Sequence, residues 1–106
     1  MVKRGEVWLA ALDPTTGSEI RKTRPCLIVS PPEIHDHLRT VIVAPMTSAS
    51  QPAGYRVAMT FDGTDGLVLT EQVRTLDKRR LIRRLGQAPA PVLSRVLRVM
   101  RETYEE

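Results

Sequence analysis

Apolar and polar positions alternate in short blocks along most of the chain, and the rhythm changes only near its end. Val7–Leu12 is an apolar run bounded by Gly5 and by Asp13-Pro14, which predicts a strand. Cys26-Leu27-Ile28-Val29-Ser30 is apolar almost throughout and is stopped by Pro31-Pro32, the pattern of a strand buried on both faces. Glu33–Arg39 is polar and reads as a loop or a short helical turn. Thr40–Pro45 is β-branched and again ends in proline, predicting another strand. Residues 47–54 are rich in Ser, Thr, Ala, Gly and Pro and read as loop. Tyr55, Val57, Met59 and Phe61 then alternate with Arg56, Ala58 and Thr60, a half-exposed antiparallel strand. Asp62–Gly66 predicts a turn, Leu67 opens a strand running to Val73, and Asp77–Arg80 is a charged turn. Leu81–Leu85 is a short strand ended by Gly86. From Pro91 the period becomes helical, with Leu93, Val96, Leu97, Met100 and Tyr104 on one face and Arg95, Arg98 and Glu102 elsewhere. Many short strands and one terminal helix predict a small, strongly bent antiparallel sheet capped by the helix.

The 106 residues suffice for one domain with one core, residues 1–106. Aromatic residues are only 4%, with one Trp and one Phe, so the core is expected from aliphatic side chains and Met. Multi-base stacking on several rings, as in an RRM, is thereby disfavoured. Sixteen basic against twelve acidic residues give a net charge of +4, which directs attention to a polyanionic partner, nucleic acid first. The single cysteine, Cys26, allows no internal disulfide and no cysteine-based metal site, and its apolar setting predicts a buried small hydrophobe. The charged N-terminus lacks the apolar stretch of a signal peptide and no run reaches the length of a membrane span, so the expectation is a cytoplasmic protein with no membrane partner.

The longest polar connection runs from Asp13 to Pro25, between the first two strands, and a long charged loop of this kind is more often functional than decorative. It ends in Arg24-Pro25. The proline pushes Arg24 toward an extended backbone, which sets a guanidinium at the mouth of a strand, where it can grip a phosphate.

Three ordered blocks carry a resemblance. Arg4-Gly5-Glu6-Val7-Trp8, Asp13-Pro14-x-x-Gly17-Ser18-Glu19 and Arg24-Pro25-x-Leu27-Ile28-Val29-Ser30 form the first. Val43-Ala44-Pro45-Met46-Thr47-Ser48 is the second, and Gly66–Asp77 with Arg80-Leu81 is the third. Together they resemble the MazF/PemK toxins, the endoribonucleases of type II toxin–antitoxin systems. The resemblance implies an SH3-like small barrel of antiparallel strands with a C-terminal helix, as in MazF and CcdB. It also implies a homodimer, and a cognate antitoxin whose acidic, flexible tail covers the RNA site.

RNA can be cut without metal by its own 2′-OH, which attacks the adjacent phosphate and leaves a 2′,3′-cyclic phosphate and a 5′-OH. The barrier falls when charge on the phosphate is stabilised and protons can move at either end. By resemblance Arg24 and Thr47 are catalytic, the first as a fixed positive fork and the second as a hydroxyl at the start of a loop. Without the resemblance, Thr47 reads as a loop-start residue bonded to the backbone, and Arg24 as a surface arginine paired with a carboxylate such as Glu19. Glu19 and Glu71 are candidate bases or orienting groups, Glu71 by holding Arg24. The sequence departs from the PemK-type set of catalytic side chains: Leu69 and Glu71 stand where some members carry arginine and aspartate, and Ser18 where they carry histidine. It is closer to the branch relying on the Arg-Pro arginine and the Pro-x-Thr threonine.

Ser18, Arg21, Lys22, Ser48, Gln72 and Arg74 are candidate RNA contacts, and the cluster Lys78, Arg79, Arg80, Arg83, Arg84 is either a solvated face or a steering surface for phosphates. His35 and His37, an acid–base pair by chemistry alone, fall outside the family blocks and read as solvated loop residues. Neither a metal nor a cofactor is expected. The expected function is a sequence-specific, metal-independent endoribonuclease acting on single-stranded RNA such as mRNA. The alternatives are a gyrase poison of the same fold or an inactive RNA-binding barrel. The charged C-terminus Arg101–Glu106 argues against the poison.

Overall fold

The computed structural model describes residues 1–13, 16–19 and 22–106. Seven strands occur in order: β1 (Glu6–Ala11), β2 (Thr23–Ile28), β3 (Thr40–Thr47), β4 (Arg56–Phe61), β5 (Thr64–Leu69), β6 (Arg74–Asp77) and β7 (Leu81–Gln87). A short helix α1 (Pro32–His35) follows β2, and the helix α2 (Ala90–Tyr104) closes the chain. All pairings are antiparallel, and the sheet runs β4-β5-β3-β2-β1-β7 with β6 also on β3. The result is a curled half-barrel with a C-terminal helix, as the pattern and the resemblance predict.

The central strands are buried on both sides, as the apolar run Cys26–Ser30 requires. Val7, Leu27, Val29, Ala44, Met46, Val57, Met59 and Val68 form one cluster, against which α2 lays Val96 with Leu93, Leu97 and Met100. Ala10, Leu12, Cys26, Ile28, Val41, Val43 and Leu76 form a second on alternate residues. Gly5, at φ +91°, lies where an added Cβ would be 3.0 Å from a Leu93 methyl, so the close seating of α2 requires glycine there.

Four details differ from the sequence expectation. The turn after β4 is only Asp62-Gly63, both at positive φ, a two-residue hairpin loop, and Gly66 lies inside β5. Gly86 likewise lies inside β7 rather than ending it. The strand expected from Leu67 to Val73 is broken by a 3-10 turn over Thr70–Gln72. The break has a cause in β3, which pairs with β6 through Thr40–Val43 and with β5 through Met46 and Thr47. Between them stand Ala44 and Pro45, and a proline has no N–H for the ladder. His35 is not solvated: it is 1% exposed, with Nδ1 2.8 Å from Ser30 Oγ, which also accepts from the Ile42 amide at 3.1 Å. The α1 turn folds His35 back onto the end of β2, which a polar loop pattern does not reveal. His37 is exposed, as expected.

Candidate active site

β2 and β3 pair at Cys26↔Pro45, Leu27↔Ala44 and Ile28↔Val43. The β2–β3 ladder ends at Cys26↔Pro45, a proline that has no N–H to donate. Arg24 and Thr47 lie two residues beyond that last pair, on the same sides of their strands as Cys26 and Pro45. Past that point β3 turns to β5, with Thr47 paired to Leu67. The strands part there, and Arg24 and Thr47 line both recesses that open at the parting. One recess is formed by Ser18, Lys22, Arg24, Thr47, Ala49, Ser50, Leu69 and Gln72. The other is formed by Arg24, Pro25, Met46, Thr47, Ser48, Phe61, Thr64, Asp65 and Gly66.

Thr47 is buried, and its Oγ1 accepts from the Ala49 amide at 3.1 Å. The hydroxyl is thus held by the backbone, as the reading without the resemblance expects, and it still has a proton to donate. Gly66 explains how β5 comes so near: an added Cβ would lie 3.2 Å from the Thr47 carbonyl oxygen.

The loop leading to Arg24 is fixed at its neck. The Leu12 amide donates to the Lys22 carbonyl at 2.9 Å, and the Lys22 amide to Asp13 Oδ1 at 3.2 Å, with Lys22 itself at φ +69°. Arg74 Nη1 donates to the Leu12 carbonyl at 3.1 Å, and Arg80 Nη1 to those of Ala11, at 3.2 Å, and Asp13.

Of the residues singled out from sequence, Ser18, Lys22, Arg24, Thr47 and Gln72 meet in one recess, and Ser48 joins the adjoining one. Arg21 lies outside the described residues. Arg74 lines neither recess and grips the loop neck instead. Glu19 accepts from the Thr16 amide at 2.6 Å and closes a turn. Glu71 Oε2 takes Arg56 Nη2 at 2.6 Å and Nε at 3.0 Å, while Arg56 Nη1 reaches the Gln51 carbonyl. Pro25 and Gly66 line the recess from inside the blocks that carry the resemblance, whereas Phe61 and Asp65 have no motif signal in the sequence. Among the described residues no three His, Cys, Asp or Glu side chains come together as metal ligands. Cys26, two residues along β2 from Arg24, is buried, and burial pushes its thiol up to about 12.

The sequence pattern of the PemK-like, MazF-like toxins of type II toxin–antitoxin systems matches residues 3–104. The chain belongs to this family. It is 40% identical over 102 residues to "Endoribonuclease PemK" of Escherichia coli, covering 91% of this chain and 77% of the relative. The crystal structure of MazF from Deinococcus radiodurans superposes with a TM-score of 0.87 at 28% identity, covering 96% of this chain and 94% of that one. A MazE–MazF crystal structure from the same organism gives 0.78 at 25% identity, over 96% of this chain and 93% of that one.

Proposed function

We propose that this toxin is an endoribonuclease that cuts single-stranded RNA, mRNA among it, at a specific word without a metal ion. The observation that carries the reading is the convergence of Arg24 and Thr47, the two family-matched positions, on one cleft. Arg24 stabilises the negative charge that builds on the phosphoryl oxygens as the 2′-OH attacks. Thr47 donates a hydrogen bond to a phosphoryl oxygen or positions the attacking 2′-OH, its own oxygen accepting from the Ala49 amide; the 2′-OH gives its proton to water as it attacks, and the leaving 5′-oxygen takes one up from water. The products are a 2′,3′-cyclic phosphate and a 5′-OH. Lys22 and Ser18 hold neighbouring phosphates, and Gln72 presents an amide to an unstacked base. Glu71, paired with Arg56, acts as a structural group here rather than as the base.

The chain works as a homodimer in the cytoplasm, and an antitoxin with an acidic, flexible tail neutralises it by occupying the basic cleft. The MazE–MazF structure supports the existence of such a partner. No helix among the described residues is long and apolar enough to cross a membrane. The deciding experiment is a denaturing gel of a long single-stranded RNA incubated in EDTA with wild type, Arg24→Ala and Thr47→Ala. Discrete fragments ending in cyclic phosphate from wild type alone are expected. RNA left intact by wild type across several unrelated sequences, or equal cutting by all three proteins, would reject this assignment.

A further inference from the structure

The recess beside Arg24 and Thr47 continues past Phe61. A neighbouring recess is lined by Pro25, Phe61, Asp62, Thr64, Arg83 and Leu85, and the two share Pro25, Phe61 and Thr64. Strand register explains why Arg83, far away in sequence, arrives there. Leu9 of β1 pairs with Pro25 on one side and with Arg83 on the other. The three residues form a row across the sheet on one face, with the Pro25 and Arg83 backbones roughly 10 Å apart at ordinary strand spacing. The hairpin tip is held over this row by Phe61, whose ring lies 3.0 Å from where a Gly86 Cβ would be. Pro25, Phe61 and Leu85 make an apolar floor, and among the described residues Arg83 is the one cation lining that recess. Arg83 is exposed, and the β7 ion pair with Glu6 belongs to its neighbour Arg84.

We propose that RNA leaves the Arg24–Thr47 cleft over Pro25 and Phe61 and that Arg83 binds a phosphate flanking the one that is cut. The inference rests on the ribonuclease reading above and extends its substrate track. An apolar floor ending in a guanidinium suits a nucleotide, whose base rests on the floor while its phosphate takes the fork. Asp62 lines the same recess and opposes the phosphate, so its carboxylate weakens the contact. A contact of this kind adds affinity and carries no sequence information.

The test uses a single-stranded RNA bearing the word that wild type cuts, with several nucleotides on each side. Arg83→Ala is expected to raise KM about tenfold, equivalent to one charge-assisted contact, with kcat changed less than about twofold. The slope of log binding constant against log salt should become shallower by about 0.7, the loss of one phosphate contact on a single strand. Arg83→Lys should restore that slope. Asp62→Asn, which keeps a residue at home in the turn, should lower KM. Wild-type KM and salt slope in Arg83→Ala would overturn the track while leaving the ribonuclease intact. RNA uncut by wild type would overturn both.

Discussion

Thr47 is held so firmly that its contribution can be separated from that of its backbone. Thr47→Val keeps the shape but removes both the donor and the acceptor of the Ala49 amide, so kcat should fall at least roughly 10²–10³-fold, the usual cost of losing one preorganised donor at a developing oxyanion. Thr47→Ser should retain most activity in the same single-turnover assay, and equal activity of the valine variant would exclude the hydroxyl from the chemistry. Gly66 offers a subtler probe. A methyl there must push the Thr47 peptide by a few tenths of an ångström, since the neighbour is backbone oxygen. Gly66→Ala should therefore slow cleavage by about threefold to tenfold with the fold unchanged by circular dichroism, because misplacement of a catalytic group costs rate steeply. Cys26 lies on the same face as Arg24 yet has no chemical part to play. The thiolate is the reactive form, and a thiol raised to about 12 holds almost none of it at neutral pH. Iodoacetamide should leave the folded protein unmodified and label it after denaturation; rapid labelling of the native chain would show the core around Cys26 to be open.

The elements bring these residues together through β3, which is long enough to serve β2 on one side and both β6 and β5 on the other. That sharing forces the strands apart where Arg24 and Thr47 stand. Arg74 and Arg80 then tie the base of the preceding loop to the β6 side of the sheet through the carbonyls of Ala11, Leu12 and Asp13. Arg74→Ala should lower kcat/KM several-fold by loosening the loop, yet leave the salt dependence of RNA binding as in wild type. A salt slope shallower by about 0.7 would instead assign Arg74 to a phosphate. Sequence pattern revealed these elements where apolar runs end in proline or glycine, as at Cys26–Ser30 and Thr40–Pro45. It missed the break at Thr70–Gln72, because the polar run Thr70-Glu71-Gln72 also suits a strand leaving the core and the cause of the break lies in another strand. The same holds for the site. Arg24 and Thr47 carry local motif signals, whereas Phe61 and Arg83 reach the cleft only through register, and His35 is buried only because Ser30 and β3 meet it.

At one edge of the sheet β7 pairs with β1, and Glu6 lies in that seam. Its carboxylate is 6% exposed and accepts from the Lys3 amide at 2.8 Å, Trp8 Nε1 at 3.1 Å and Arg84 Nε at 2.7 Å. Burial alone would raise its pKa, but the hydrogen bonds from Trp8, Lys3 and Arg84 outweigh burial and hold it below the ordinary value. A carboxylate depressed in the folded state contributes stability that is present above its unfolded pKa, near 4.5, and is lost as pH falls through the lower folded value. Glu6→Gln removes the charge from this network and leaves buried donors facing an amide. It should cost roughly 1.5–3 kcal/mol at pH 7, the range for hydrogen bonds to a charged group. The gap between variant and wild type should narrow below pH 4.5, where the unfolded carboxylate takes up a proton that the folded one does not yet bind. Urea denaturation across pH 3–7 measures both quantities. A gap that stays constant through that range would mean that the β1–β7 seam is held by packing around Trp8 and Leu81 and not by the charge on Glu6.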